Sequence, residues 1–273
     1  MEKLNRQPLP GPRPVHAADI HPTAVVDARA RLGHDVVIGP HAVIGPDVEI
    51  GPGCRIGSSV WIDGHTLLGR NNQVFHGAAI GGPPQDLKYR GETSFVEIGD
   101  DNVIREYATI HLATGEGEQT RVGNGNMLMA YVHVAHNCHI HDHTILANAV
   151  NLAGHVEVED WAILGGMTPV HQFVRICRHS FVGGGSRLPQ DVPPFVKVAG
   201  NPVAVAGINA VGLKRRGFDD DEIMNIKDAY RLLYRSGLNV SQALERIATD
   251  CRLTRSIEDL MAFIRRSERG IVR

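Results

Sequence analysis

The sequence is poor in aromatic residues and has no excess of either charge. Aromatic side chains make up 5% of the 273 residues, whereas glycine occurs 30 times and histidine 15 times. Lys and Arg number 28 and Asp and Glu 30, and this formal net charge of -2 argues against a nucleic-acid-binding protein. The core must therefore be built from small aliphatic side chains, and the glycine content predicts a chain that turns often.

Two further absences bear on where the protein works. The four cysteines, Cys54, Cys138, Cys177 and Cys251, form no CxxC pair, which favours a reducing compartment over a disulfide framework. No stretch approaches the roughly 18 apolar residues of a membrane span, and the N-terminus lacks the apolar segment of a signal peptide. The sequence therefore predicts a cytoplasmic protein without a membrane span.

An internal repeat of six residues runs through most of the chain. Ile, Val or Leu occupies every sixth position from Ile20 to Ile80, and the period resumes over 98–110 and 122–188. A period of six does not match the 3.6-residue turn of a helix. A short strand followed by a corner fits, because the aliphatic side chain points inward and the glycine that often follows permits the bend. Three such sides close a coil of eighteen residues, which predicts a parallel β-helix with coils about 4.8 Å apart.

The domain organisation follows from where this repeat begins, pauses and ends. Residues 1–17 are rich in proline and predict a disordered arm, and residues 18–200 predict the β-helix. Polar segments at 82–95 and 112–120 interrupt the period and predict loops, which commonly carry function in repeat proteins. Helical spacing of apolar residues then predicts a C-terminal helical domain over 201–273.

This C-terminal region has two further features. It predicts three helices, over 218–234, 240–247 and 257–264, and Ser256 followed by Asp259 resembles a capping box for the last of them. Basic residues are frequent here within a net-acidic chain, which favours an acidic partner, although solvated helix faces commonly carry such residues too. The basic set is Lys214, Arg215, Arg216, Arg252, Arg255, Arg265 and Arg266.

Coil arithmetic brings several histidines to one edge of the predicted prism. Counted in coils of eighteen residues, His136, His155 and His171 occupy neighbouring positions of three successive coils. His136 and His155 should lie about one strand spacing apart, and His171 about 10 Å from His136. Gly154 follows His136 by eighteen residues, so its backbone N–H should lie directly against that side chain.

Three interpretations of this histidine column remain open. Imidazole titrates near neutrality and serves as a general base, it is the commonest zinc ligand, and some of fifteen histidines will align on an exposed wall by chance. Zinc needs about three ligand nitrogens within about 2.1 Å of one point. A column spanning about 10 Å excludes this within one chain, although a subunit interface could assemble such a site.

Several motifs are far more selective than the repeat itself. From Ile20 to the C-terminus, the chain resembles the UDP-N-acetylglucosamine acyltransferase family through the runs GPPQDLKYRGETSFVEIGDDNVIREYATIH, HVAHNC, LAGH, GGMTPVHQF, QDVPP and GLKRRGF. The resemblance implies a left-handed β-helix and a homotrimer with active sites between subunits. It implies transfer of a 3-hydroxyacyl chain from acyl carrier protein to the 3-hydroxyl of UDP-N-acetylglucosamine, the first step of lipid A biosynthesis, with no cofactor and no metal. Acyl carrier protein is acidic, so the basic C-terminal region would attract it.

The same resemblance assigns roles to individual residues. His136 matches the general base and Gly154 the oxyanion donor. Asn137 stands where the family usually has Asp, and Val211 where it has Glu; an amide still accepts from imidazole, but its lack of charge predicts a cost in rate. Gly184 matches the position that measures acyl length, and the missing side chain predicts a long chain. Substrate-contacting positions are matched by Gln85, Asp86, Lys88, His111, His133, His155, His171 and Gln172, and the nucleotide region by Asn209, Arg215 and Arg216.

Three other functions stay open beside this one. The first is N-acylation of an amino-sugar nucleotide, because the acceptor atom cannot be read from the sequence. The second is a trimeric zinc hydratase of the carbonic-anhydrase type, with histidines meeting at an interface. The third is a non-catalytic scaffold, for which Asn137 and Val211 in place of acidic residues are the motivation.

Overall fold

The computed structural model describes residues 16–273, most of which form a left-handed parallel β-helix with a triangular cross-section. Residues pair with those eighteen positions later, as Asp19 does with Val37 and Val25 with Val43. The predicted repeat of six is therefore one side of the triangle. The predicted arm lies almost wholly outside the described residues.

Three sheets form the walls of the prism. Wall A has eleven strands, parallel except for the antiparallel last pair: β1 (Asp19–Ile20), β4 (Val37–Ile38), β7 (Arg55–Ile56), β10 (Gln73–Val74), β13 (Val103–Ile104), β16 (Met127–Leu128), β19 (Ile145–Leu146), β22 (Ile163–Leu164), β25 (Phe181–Val182), β26 (Val196–Ala199) and β27 (Ala204–Ile208). Wall B has eight parallel strands: β2 (Val25–Val26), β5 (Val43–Ile44), β8 (Trp61–Ile62), β11 (Ala79–Gly82), β14 (Thr109–His111), β17 (His133–Val134), β20 (Asn151–Leu152) and β23 (Pro169–Val170). Wall C also has eight: β3 (Arg31–Leu32), β6 (Val48–Ile50), β9 (His65–Leu68), β12 (Phe95–Ile98), β15 (Gln119–Val122), β18 (His139–Ile140), β21 (Glu157–Val158) and β24 (Arg175–Ile176).

The repeat aliphatics fill the interior of this prism. Ile38, Ile44 and Ile50 come from three consecutive walls, and each is buried. Side chains alternate across a strand, so the residue before each aliphatic points outward. Burying such a side chain contributes roughly 1.5–3 kcal/mol, which makes the repeated column the main stabilising feature of the fold. The two interruptions of the period lie between β11 and β12 and between β14 and β15, where loops leave the wall.

The glycines that follow the repeat aliphatics do not act as the sequence suggested. Gly33 has no left-handed backbone, and a β-carbon there would lie 2.6 Å from the Pro52 nitrogen. The same is true of Gly51 against the carbonyl carbon of Gly69. The bends use left-handed residues further along, such as Asp35 with φ of 58°. The expectation that these glycines supply the bend is wrong; they allow successive coils to approach closely.

Four helices follow the prism: α1 (Ala210–Arg215), α2 (Asp220–Tyr234), α3 (Val240–Asp250) and α4 (Arg255–Arg266). Their apolar faces pack with Phe195 and Cys177 at the end of the prism. The predicted capping box at Ser256 is wrong, because α4 begins at Arg255 and Ser256 already lies inside it. A capping box is present instead at Asn239, where α3 begins. Within residues 16–273, none of the helices has the length and apolar character needed to cross a membrane.

Candidate active site

His136 lies at the corner between walls B and C, between β17 and β18. Asn137, His155 and Phe173 turn this corner in three successive coils with left-handed backbones, at φ of 57°, 61° and 63°. The N–H of His155 donates to the carbonyl oxygen of His136 at 3.0 Å, which keeps the coils in register. The rings of His136 and His155 meet edge to face with centroids 5.1 Å apart, close to the predicted strand spacing.

The side chain of Asn137 sets the tautomer of His136. Asn137 Nδ2 donates to the carbonyl oxygen of Thr114 at 3.2 Å, and the Thr114 N–H donates to Asn137 Oδ1 at 3.0 Å. This pair fixes the amide so that Oδ1 faces His136 Nδ1 at 2.9 Å. An amide oxygen only accepts, so Nδ1 carries the proton and Nε2 keeps a free lone pair. Thr114 was missed from the sequence, because only folding brings that loop to the corner.

Asp86 approaches His136 from the opposite side, on the loop between β11 and β12. Its Oδ2 lies 3.9 Å from His136 Nε2, and the His136 side chain is only 9% exposed. The backbone N–H of Lys88 donates to Asp86 Oδ1 at 3.0 Å, which lowers the pKa of this carboxyl group. Asp86 therefore supplies the negative charge that Asn137 lacks. Gln85 and Lys88 flank it on the loop and are exposed.

Gly154 lies directly against the imidazole ring of His136. A β-carbon on Gly154 would be 2.5 Å from both Nε2 and Cε1 of that ring, so only glycine fits beneath it. Within residues 16–273, no acceptor takes the N–H of Gly154. A ring nitrogen with a free lone pair and a free backbone donor thus adjoin, and this arrangement suits acyl transfer through an oxyanion.

Two further histidines of wall B adjoin this corner. The rings of His111 and His133 meet edge to face at 5.0 Å, and His133 Nδ1 lies 2.7 Å from Thr109 Oγ1. Burial is the main cause that lowers the pKa of His111 to about 4, with smaller effects from His133 and His136, and burial also lowers the pKa of His133. The His111 ring is therefore neutral at pH 7, and its buried Nδ1 has no partner in the described part of the chain. These properties suit hydrogen bonding to a polar substrate.

His171 and Gln172 lie further along the same corner and are exposed. Arg269, from the C-terminal tail, donates through Nη2 to His171 Nδ1 at 3.1 Å, across 98 residues of sequence. A cavity of about 580 Å³ opens here. Its lining includes His155, Phe173, Arg175, Arg266 and Arg269. Arg269 was also missed, because nothing in the sequence links the tail to this corner.

The predicted nucleotide-binding residues lie elsewhere, around a cavity of about 410 Å³ on wall A. Arg215 is exposed there, and the Arg216 guanidinium lies over the Trp161 ring at 5.0 Å, where burial lowers its pKa. The Asn209 side chain is already engaged: Nδ2 donates to the His179 carbonyl oxygen at 2.9 Å, and Oδ1 caps α1. Asn209 therefore positions the helix that carries the arginines. Val211 is exposed at the cavity.

The two predicted groups of site residues are not brought together in one chain. His136 marks the corner where walls B and C meet, and in a triangular prism that corner lies opposite wall A, which carries Arg215 and Arg216. Gly184 lies apart from both groups, at the corner between walls A and B. A β-carbon on Gly184 would lie 3.1 Å from the carbonyl oxygen of Gly166, so glycine also serves close packing of the coils there.

Comparison with known proteins gives consistent likenesses. Residues 191–272 match the family described as UDP N-acetylglucosamine O-acyltransferase, domain 2, and residues 29–64 and 119–154 match bacterial transferase hexapeptide repeats. The chain is 48% identical over 257 residues to an acyl-[acyl-carrier-protein]–UDP-N-acetylglucosamine O-acyltransferase of Thiobacillus denitrificans, covering 94% of this chain and 100% of that protein. It is 54% identical to the protein of the same name from Gloeothece citriformis, covering 87% and 86%. The crystal structure of a UDP-N-acetylglucosamine acyltransferase from Bacteroides fragilis is 42% identical, with a TM-score of 0.91 and coverage of 93% and 100%.

Proposed function

The chain belongs to the UDP-N-acetylglucosamine O-acyltransferase family, and we propose that it uses His136 as the general base for that reaction. It moves an acyl chain from acyl carrier protein to UDP-N-acetylglucosamine. We assign a 3-hydroxyacyl chain as donor group and the 3-hydroxyl of the glucosamine as acceptor, the first step of lipid A biosynthesis. The observation that carries the assignment of the base is the free Nε2 of His136 beside the unpaired N–H of Gly154.

The chemical step follows from these two groups. His136 Nε2 takes the proton of the sugar hydroxyl while its oxygen attacks the thioester carbonyl carbon, and a new C–O bond forms. The carbonyl oxygen becomes an oxyanion, which the Gly154 N–H stabilises. When the intermediate collapses, the C–S bond breaks and the imidazolium returns the proton to the leaving thiolate. The products are the sugar ester and the free thiol of the carrier protein.

In other acyl-transfer sites one carboxylate both orients the histidine ring and stabilises its charged form; here Asn137 has the first role and Asp86 the second. Asn137 holds the ring orientation and the tautomer through Nδ1. Asp86 lies 3.9 Å from Nε2 and stabilises the imidazolium that forms when Nε2 takes the proton. The absence of a charge at position 137 therefore does not favour the scaffold alternative.

The opposite placement of the two residue groups supports a homotrimer with shared sites. One UDP-N-acetylglucosamine molecule can contact the His136 corner and the Arg215 cavity only if a neighbouring chain supplies one of them. Three outward residues of wall A that line that cavity, Ile145, Ile163 and Phe181, are apolar, which suits burial against a second copy. The next residue in the register, Lys197, is charged and also lines the cavity.

The charge pattern of the C-terminal region supports acyl carrier protein as the partner. Several of its basic groups already form ion pairs within the chain: Arg252 pairs with Glu222 at 3.3 Å and Arg255 with Asp259 at 3.1 Å. For Arg265, Arg266 and Arg269, no carboxylate in residues 16–273 lies within ion-pair distance. Of these three arginines, Arg266 and Arg269 line the cavity at the catalytic corner. An acidic carrier protein would be steered to this surface.

Gly184 is proposed to set the acyl length. It is exposed at the corner between walls A and B, and its missing side chain leaves that part of the surface open to a long chain. A larger side chain at position 184 would fill this open surface and should therefore shorten the preferred acyl chain. Its β-carbon would also meet the carbonyl oxygen of Gly166 at 3.1 Å.

The test is a mass-spectrometric assay of the purified protein with hydroxyacyl carrier proteins of several chain lengths. UDP-N-acetylglucosamine and its 3-amino analogue are offered as acceptors. Ester product on the first acceptor, lost in His136→Ala and kept in His143→Ala, supports the proposal; His143 is an exposed histidine of a different corner. Full turnover by His136→Ala would remove His136 as the base, and amide product alone would favour N-acylation.

A further inference from the structure

Wall C carries a ladder of opposite charges on its outer face. Arg31 pairs with Glu49 at 2.7 Å, and Arg121 with Glu97 at 3.5 Å, each from neighbouring coils. The register continues from Arg121 to His139, from His139 to Glu157 and from Glu157 to Arg175. The outward column of Arg and Glu is thus interrupted at two positions, by Leu67 between Glu49 and Glu97 and by the imidazole of His139. A second imidazole, His141, stands two residues further along the same coil, so both rings project from the same face.

The two rings and the glutamate form a compact donor set. One ligand atom each of His139, His141 and Glu157 lie within 4.8 Å of one another. The rings of His139 and His141 stack with centroids 4.2 Å apart, and His141 Nε2 lies 3.2 Å from Glu157 Oε1. Ligand atoms around a tetrahedral Zn²⁺ lie about 3.4 Å apart, given metal–ligand bonds near 2.1 Å. Small side-chain rotations therefore suffice to bring the three atoms around one ion.

The carboxylate of Glu157 is also oriented as a metal ligand requires. Its Oε2 accepts from Arg175 Nε at 2.8 Å, and this leaves Oε1 facing the imidazoles. Arg175 is itself held, because its guanidinium lies over the Phe263 ring at 5.2 Å. Ligating carboxylates are commonly fixed in this way by a group behind them.

We propose that His139, His141 and Glu157 bind one divalent transition-metal ion of the Zn²⁺ class on the outer face of wall C. Two imidazoles and one carboxylate favour Zn²⁺ over Mg²⁺ or Ca²⁺, which prefer oxygen ligands. Binding replaces the hydrogen bond between His141 and Glu157 and releases any proton that His141 carries. The remaining coordination positions face solvent, where water completes the set. Three ligands beside the cation Arg175 give weaker binding than a four-ligand structural zinc site.

This site borders the cavity of the catalytic corner, because Glu157 and Arg175 line that cavity, but its ligands differ from the residues placed at His136. His136 turns the corner between walls B and C, whereas His139 lies on wall C itself, and the base uses none of the three ligands. Coil arithmetic alone points to the cluster, because Glu157 follows His139 by one full coil. The proposal does not depend on the acyltransferase reaction.

The experiment is isothermal titration calorimetry of the full-length protein with zinc chloride after dialysis against a chelator. We expect one equivalent of Zn²⁺ to bind. The affinity should fall at least about tenfold in His141→Ala and in Glu157→Gln, because each variant loses one ligand. His143→Ala is the matched control: this histidine lies two residues beyond His141 and stacks on Trp161, outside the donor set. Glu157→Gln keeps the shape of the side chain and guards against a loss that only reports misfolding.

Cobalt(II) absorption gives a second readout on the same proteins. Co²⁺ in a site with histidine ligands should give a visible band that Zn²⁺ displaces and that His141→Ala weakens. Absence of stoichiometric Zn²⁺ binding by the unaltered protein would overturn the proposal. So would binding that survives unchanged in both His141→Ala and Glu157→Gln, because the ion would then sit on other histidines.

Discussion

The side-chain oxygen of Asn137 lies 2.9 Å from Nδ1 of His136, and the amide nitrogen of the same side chain lies 3.2 Å from the Thr114 carbonyl oxygen. The corner is therefore built for an amide. A carboxylate at position 137 would place an oxygen against the Thr114 carbonyl, and the two acceptors would repel each other. Asn137 carries no charge, but it fixes the orientation of the His136 ring. The negative charge of Asp86 lies on the other side of that ring, 3.9 Å from Nε2.

Asn137→Ala is expected to lower kcat more than Asn137→Asp does. Alanine removes the acceptor at Nδ1, so the proton can move to Nε2 and the base is lost in part of the molecules. We expect a loss of about tenfold to hundredfold, below the ~10²–10⁴-fold that a general base contributes. Steady-state kinetics with both substrates measure it, and the KM for UDP-N-acetylglucosamine should change little. An unaltered kcat in Asn137→Ala would show that another group orients the ring.

Gly154→Ala is expected to remove most of the activity while the β-helix stays folded. The added β-carbon would lie 2.5 Å from His136 Nε2, so the ring must move away from its position beside the backbone N–H. The loss should approach that of His136→Ala, about 10²–10⁴-fold in kcat. Gly166→Ala is the control: the nearest atoms to its β-carbon would be backbone atoms of Asn148, the closest of them the carbonyl oxygen at 3.0 Å, and not a ring of the site. Equal activities of the Gly154→Ala and Gly166→Ala variants would show that Gly154 has no role in catalysis.

His179 is expected to make the protein less stable as the pH falls. Its ring is enclosed by Trp161, Phe195 and Phe218, and burial, with Arg216 and Arg178 as smaller causes, lowers its pKa to about 4. The unfolded chain binds this proton at about pH 6.5, before the folded chain does. The contribution of His179 to the free energy of unfolding should therefore be greatest above about pH 6.5 and decrease as the pH drops toward 4.

Urea denaturation at pH 7, 5 and 4 measures this dependence. His179→Gln should show a smaller fall than the unaltered protein, because glutamine takes up no proton. His111 has a similarly lowered pKa, so part of the fall should remain. His21→Gln, at an exposed position, should leave the dependence unchanged. An equal fall in His179→Gln and the unaltered protein would contradict the role of His179.

The spacing of Ile, Val and Leu was enough to predict the walls of the prism, because an inward side chain every six residues leaves few other folds. It also predicted that Gly154 lies against His136, since eighteen residues separate them. Contacts made by loops had no such periodicity. Thr114 and Arg269 reach the corner only after the chain folds, across 23 and 98 residues. The left-handed corners were also hidden, because residues as different as Asp35, Tyr131 and Met167 adopt them.

The strongest test of shared active sites is complementation between two inactive variants. His136→Ala removes the proposed base and Arg215→Ala removes an exposed arginine of the wall A cavity, so each pure variant should be impaired. If every site takes its base from one chain and its nucleotide cavity from a neighbour, a mixed assembly contains some sites with neither change. Unfolding and refolding the two variants together should restore about one site in four in a random assembly.

Mixing the same variants without unfolding is the control: assemblies that keep their original chains should stay impaired. Restored activity after joint refolding requires two chains to contribute to one site, since no single chain in the mixture is complete. If joint refolding restores nothing although each variant refolds, both groups would have to act within one chain. That outcome would conflict with the opposite placement of the His136 corner and wall A on the prism.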